Sequence, residues 1–175
     1  TRYKSQLIRV EKERNTQKQS RSNCLQVSLI GYTNAGKSTI MNALTNSGLL
    51  VEDRLFATLD STTRLLEEDS RPKVLLSDTV GFISNLPHEV IAAFRSTLAT
   101  VRDADLLLQV IDADDNIEEH LQTTSEVLED LDAACIPIIK VFNKIDRISP
   151  TRLLILEKSF PEALFGSYEN GGKNG

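Results

Sequence analysis

The chain has 175 residues, 40% of them hydrophobic and 26% charged, with a formal net charge of −5. That balance suits one folded domain with a core of ordinary size and excludes a disordered chain. No apolar run approaches the roughly eighteen residues that would span a bilayer, and no basic start followed by an apolar stretch resembles a secretory signal, so a cytoplasmic protein without a transmembrane segment is expected.

Charge is divided unevenly along the chain. Residues 1–22 carry Arg2, Lys4, Arg9, Lys12, Arg14, Lys18 and Arg21 against Glu11 and Glu13, a net +5 that leaves −10 for residues 23–175. A basic, Gln-rich, helix-favouring arm fits either contact with nucleic acid or a solvated helix face. Only Tyr3, Leu7 and Val10 recur at helical intervals in it, too few to pack a helix independently. The chain begins at Thr1, and the expected organisation is a cut through a longer protein: a helical linker arm over 1–22 and a domain over 23–175.

The first strand is expected at 25–30, and the glycines that follow define the first motif. In "GYTNAGKS" two of the chain's eight glycines, Gly31 and Gly36, stand five apart with Lys37 and Ser38 directly after. Such a loop converges backbone N–H groups on phosphate oxygens, and the helix expected at 37–45 aims its N-terminus at the same anion. Lys37 would reach the β and γ phosphates, and the Ser38 hydroxyl would supply a ligand to Mg2+. Cys24 and Cys135 form no metal-ligand spacing; both fall in apolar strand-like runs and are expected to be small buried hydrophobes.

Beyond a connection at about 46–62, "TRLLEEDSRPKVLLSD" predicts two strands, 63–69 and 73–78, joined by a turn, one of them an antiparallel edge. A helix at 87–102, a strand at 106–112, a helix at 116–131, a strand at 136–142, a helix at 150–159 and a short strand at 164–166 follow. This alternation predicts an α/β fold of the P-loop NTPase kind: a mostly parallel sheet, helices on both faces, and the ligand at the strand C-termini.

Two further motifs fall at those strand ends. Asp78 in "SDTVGF" is suited to hold Mg2+ through water, and Gly81 can present its backbone N–H to a γ phosphate. "Asn143-Lys144-Ile145-Asp146" follows the fifth strand. The Asp146 carboxylate can accept the paired N1–H and 2-amino hydrogen bonds of guanine, which adenine lacks, while Asn143 ties the base loop to the phosphate loop and the Lys144 stem covers the ring. His88 and His120 have no paired nucleophile and read as solvated or packed residues.

With these motifs the chain resembles the translation-factor-like GTPases, and more narrowly the HflX family of ribosome-associated GTPases. The narrower match rests on "GYTNAGKST" (31–39), "RLFATLDSTTR" (54–64), "DTVGFISNLPHEVIAAFRSTL" (78–98) and the basic "KSQLIRVEKER" (4–14). The resemblance implies a GTP/GDP site with Mg2+, contacted by Gly31, Asn34, Ala35, Gly36, Lys37, Ser38 and Thr39, by Phe56, Ala57, Thr58, Leu59 and Asp60, by Asp78, Thr79, Val80 and Gly81, and by Asn143, Lys144, Asp146 and Ser167. It implies catalytic parts for Lys37, Thr58 and Gly81, with Ser38, Thr58 and Asp78 at the metal. Thr58 would be the switch threonine, ordered by γ phosphate and released after hydrolysis; Thr62 and Thr63 compete for that role, but their position beside Arg64 suits an edge strand better. A monomer contacting the RNA and protein of the large ribosomal subunit is also implied.

Phe82 stands where many GTPases carry a water-orienting glutamine, as in the HflX pattern, and predicts slow hydrolysis without a partner. After "FPEALF" the chain ends in "GSYENGGKNG": Ser167 aligns with the serine of the family's last base loop, Tyr168 replaces a small residue, and a closing C-terminal helix is not expected. A nucleotide-dependent binding switch with negligible catalysis is the alternative these departures favour. A P-loop phosphotransferase or ATPase is a third reading, against which Asp146 argues.

Overall fold

The computed structural model describes residues 24–45, 62–66, 71–79, 81 and 99–168. Six strands form one sheet: β1 (Cys24–Gly31), β2 (Thr62–Leu65), β3 (Lys73–Asp78), β4 (Leu106–Asp112), β5 (Ile138–Asn143) and β6 (Leu164–Phe165). Their spatial order is β2-β3-β1-β4-β5-β6. Among the described residues only the β2–β3 pair is antiparallel; β1 pairs in parallel with both β3 and β4, and β4–β5 and β5–β6 are parallel as well. The order therefore reverses at β1, the place in such sheets where ligands bind beyond the C-terminal ends of the strands.

Alternate residues of β1 serve opposite faces. Val27 and Leu29 join Leu76, Val110 and Val141 under Ile40 and Met41 of helix α1 (Lys37–Thr45). On the other face Ile30 and Leu107 pack with Val101 of α2 (Ala99–Arg102) and with Val127 and Leu128 of α3 (Ile117–Asp130). Ile111 and Phe142 continue that layer against Leu156 of α4 (Pro150–Ser159). Helices thus cover both faces, as the runs of buried residues in β1 and β4 require.

Helix ends follow the local sequence. The Asn116 side chain accepts from the backbone N–H of Glu119 and donates to its carboxylate, so α3 opens with a reciprocal cap and two acids in its first turn. Ser149 caps α4 by accepting from the Arg152 N–H, with Pro150 at the first helical position. The expected strand at 136–142 starts later, at Ile138, because Pro137 has no N–H and uses its carbonyl to accept from Leu107. The strand expected to reach residue 69 ends at Leu65. One expectation is corrected: Cys135 lies in the turn before Pro137 and is exposed, so it is not a buried hydrophobe. Residues 1–23, 87–98 and 169–175, on which the expected arm, much of one helix and the tail fall, lie outside the described residues.

Phe142 is fully buried, stacked on Phe165 at 5.1 Å and tilted against Phe160 at 5.0 Å, so it fastens β6 and the end of α4 to the sheet. Phe142→Ala is expected to lower unfolding stability by about 3–5 kcal/mol in a urea titration. A loss below about 1 kcal/mol would mean that β6 is not held through this ring.

Candidate functional site

The loop between β1 and α1 adopts a shape only its own residues allow. Gly31 (φ +140°) and Gly36 (φ +98°) occupy left-handed backbone, and Asn34 joins them at +62°. A Cβ on Gly31 would lie 2.2 Å from the Val110 carbonyl oxygen, and one on Gly36 would lie 2.2 Å from Asn143 Nδ2. Backbone strain and lack of space therefore both demand glycine at these two positions. Lys37, the first residue of α1, is only 6% exposed and donates from Nζ to the carbonyl oxygens of Tyr32 (2.9 Å) and Gly31 (3.3 Å). Burial pulls its ammonium down to about 8, and the carboxylate of Asp78 acts in the opposite direction.

Asp78 ends β3 beside that ammonium. Its Oδ2 accepts from Ser38 Oγ at 2.5 Å and its Oδ1 from the Thr79 N–H at 3.0 Å. The Thr79 hydroxyl donates to the Leu29 carbonyl at 2.6 Å, anchoring the end of β3 to β1. A hydroxyl and a carboxylate side by side make an all-oxygen donor set of the kind a hard divalent cation takes, with phosphate oxygens and water completing it, and Ser38 and Asp78 could hold Mg2+ in that way. Gly81 lies so near the loop that a Cβ would meet Thr33 Cα at 2.7 Å and Lys37 Nζ at 2.8 Å, leaving its backbone close to the lysine.

The third element is the turn after β5. Asn143 donates from Nδ2 to the Ala35 carbonyl at 3.0 Å, and its Oδ1 accepts from the N–H groups of Lys144 (2.8 Å) and Tyr168 (3.1 Å). Lys144 holds a left-handed conformation (φ +61°), and its ammonium bridges the Asn34 carbonyl (2.7 Å) and Asp112 Oδ2 (2.7 Å). Asp146 is exposed at the mouth; the Ser167 hydroxyl donates to it and holds its carboxyl below the usual range. The segment Gly166–Tyr168 thus sits on the Asn143–Asp146 turn despite the bulk of Tyr168, with Gly166 donating to the Phe142 carbonyl and accepting from Ile145.

Gly31, Asn34, Ala35, Gly36, Lys37, Ser38, Thr39, Asp78, Thr79, Gly81, Asn143, Lys144, Asp146 and Ser167 therefore lie on neighbouring loops at one edge of the sheet. Phe56, Ala57, Thr58, Leu59, Asp60 and Val80, together with Phe82 and His88, lie outside the described residues. Two partners of the site were not read from the sequence. Asp112 stands at the C-terminal end of β4, the same ligand-facing position as Asp78 on β3, and that position was the available signal. His120 is buried rather than solvated, stacked on Tyr32 of the loop.

The chain matches the family model described as 50S ribosome-binding GTPase over residues 26–144. It is 48% identical over 162 residues to the GTPase HflX of Gluconacetobacter diazotrophicus, covering 92% of this chain and 36% of that protein. To the GTPase HflX of Escherichia coli it is 48% identical over 147 residues, 82% of this chain and 34% of that protein. The chain thus spans about a third of the length of these relatives. Among solved structures it resembles a GTP-binding protein from the hyperthermophilic archaeon Sulfolobus solfataricus in complex with GDP, at 28% identity and a TM-score of 0.61, covering 95% of this chain and 52% of that one.

Lys37 has a folded-state pKa near 8, below its unfolded value of 10.5. Between those two limits the unfolded chain binds the extra proton, so stability should rise with pH. Without ligand, the stability difference between the native chain and Lys37→Met should change in favour of the native chain by up to roughly 3 kcal/mol from pH 8 to 10.5. Denaturant unfolding at a series of pH values checks this, and a pH-independent difference would show that the ammonium is not desolvated.

Proposed function

This chain belongs to the 50S ribosome-binding GTPase family and, within it, to the HflX group, and from that premise we propose that it is a Mg2+-dependent GTP-binding and GTP-hydrolysing domain. The observation that supports this best is the tie made by Asn143, whose side chain joins the turn that carries Asp146 to the Ala35 carbonyl of the glycine loop and to Tyr168. Backbone N–H groups of residues 34–39 and the Lys37 ammonium bind the phosphates. Ser38 and Asp78 would hold Mg2+, with Thr58 joining them in the GTP state, and the ion would supply neutralisation of phosphate charge. Gly81 donates its N–H to the γ phosphate. Asp146 accepts two hydrogen bonds from guanine, Ser167 keeps that carboxylate ionised and oriented, and the Lys144 stem lies on the ring.

The reaction is attack by water on the γ phosphate of GTP, giving GDP and phosphate. Phosphoryl transfer depends on positioning and charge stabilisation, and Phe82 cannot orient the water by hydrogen bonding. The isolated domain is therefore slow, and the large ribosomal subunit supplies or reorders the missing group. The domain is a cytoplasmic monomer, and the basic arm at residues 1–22 links it to the rest of a longer protein. A nucleotide-controlled binding switch with negligible turnover is the second reading, and Phe82 is the residue that favours it. Among the described residues no helix is long and apolar enough to cross a membrane.

Calorimetry with Mg2+ should show GDP and GTP binding and no competition by ATP. Asp146→Asn should shift preference towards xanthine nucleotides by roughly 100-fold or more, because the amide matches the exchanged donor and acceptor. A folded sample that binds ATP and GTP alike would overturn the assignment of the base site.

Purified 50S subunits are expected to raise the GTP turnover number by roughly tenfold or more. Equal rates with and without them would overturn the partner, and no measurable turnover in either case would select the switch reading.

A further inference from the structure

Tyr32 occupies the second position of the glycine loop, and its carbonyl is the shorter of the two acceptors holding Lys37 Nζ. Its ring is engaged from outside the loop: the His120 imidazole of α3 lies on it with centroids 4.0 Å apart and planes 16° from parallel. His120 is 4% exposed, its Nε2 faces Asp115 Oδ2 at 3.5 Å, and its Nδ1 is buried with no hydrogen-bond partner. Asp115 is itself fixed, because its other carboxylate oxygen accepts from the Asn116 N–H at 2.8 Å and its carbonyl accepts from Arg152 at 3.1 Å. Asp115 belongs to the turn that begins at Asp112, the carboxylate paired with Lys144.

We propose that His120 is a positioning residue of the phosphate loop, acting through the ring of Tyr32. The inference rests on the reading that this loop binds nucleotide phosphates. A stacked, buried ring resists rotation and translation of its partner, so a displacement of the Tyr32 backbone that carries its carbonyl away from Lys37 also works against the stack on the imidazole. Asp115 fixes the imidazole edge, so the plane in which Tyr32 rests is set by the turn after β4. One side chain thereby couples the carbonyl that aims the lysine to the turn that holds the base-covering Lys144. Packing of α3 on the sheet does not by itself require this coupling, since its apolar contacts are supplied by Val127 and Leu128 in one cluster and by Ile117 and Leu121 in another.

The test is GDP binding with Mg2+ by the native chain, His120→Ala and His120→Phe, with the folded fraction of each measured by unfolding. His120→Ala should weaken GDP roughly 3–10-fold per folded molecule and leave rejection of ATP intact, and His120→Phe should recover at least half of that loss on a logarithmic scale. A purely structural residue would lower stability and leave the dissociation constant of the folded fraction unchanged, and that result would overturn the proposal. The chain has two histidines, so a His88→Gln background leaves His120 as the one imidazole seen by NMR. Its ring nitrogens should shift when GDP is added even if His120→Ala does not fold, and shifts unchanged at saturating GDP would equally overturn the proposal. Failure of the native chain to bind any guanine nucleotide would instead overturn the reading of the loop.

Discussion

Asn143 is 1% exposed, and the polar atoms of its side chain reach three backbone segments distant in sequence or at a sharp turn: Ala35 in the glycine loop, Lys144 beside it, and Tyr168 after β6. An amide buried this deeply costs about 1–3 kcal/mol if its partners are lost, so the segments are held together by a penalty on separation more than by the net strength of any one bond. The tie also explains Gly36. Any side chain there would occupy the space of Asn143 Nδ2, so a glycine usually attributed to phosphate approach is equally demanded by the amide behind it.

A loop shaped in advance to receive an anion carries a cost in its absence, because aligned N–H groups and a cation face one another without the charge they are built to meet. In this chain the cost falls on Lys37, whose burial lowers its pKa. The compensation is local: two loop carbonyls and the Asp78 carboxylate surround the ammonium, and Asp78 is in turn fixed by Ser38 and the Thr79 N–H. An anion beside the ammonium would oppose the same desolvation, so the two carbonyls and the carboxylate around Lys37 are the groups that would share it with a phosphate.

Much of this was legible in the sequence because the chemistry is local there. Gly31, Gly36, Lys37 and Ser38 lie within eight residues, and the apolar runs of β1, β4 and β5 announce a sheet covered on both faces. Asp78 and Asn143 were readable as strand-end residues. What escaped were contacts between segments. Nothing in "DADDN" marks Asp112 as the partner of a lysine 32 positions later, since that pairing exists only because β4 and β5 are neighbours in register, with Asp112 opposite Asn143. Cys135 was misplaced for a related reason: the apolar run before β5 continues through a turn, and composition does not register that Pro137 delays the strand.

His120 shows the same limit from the other side. At helical spacing it stands four residues from Thr124 and seven from Val127, on the buried stripe of α3, and a histidine on such a stripe reads as packing. Only the position of Tyr32, carried to the helix by the left-handed turn of the glycine loop, makes that packing bear on the site. The loop is consequently gripped at two points by different means: at Ala35 by a hydrogen-bonded amide, and at Tyr32 by a ring stack that resists translation. The segment between them, Thr33 and Asn34, carries the left-handed turn whose carbonyl meets Lys144, so the ammonium of that lysine rests on backbone that is held at both ends.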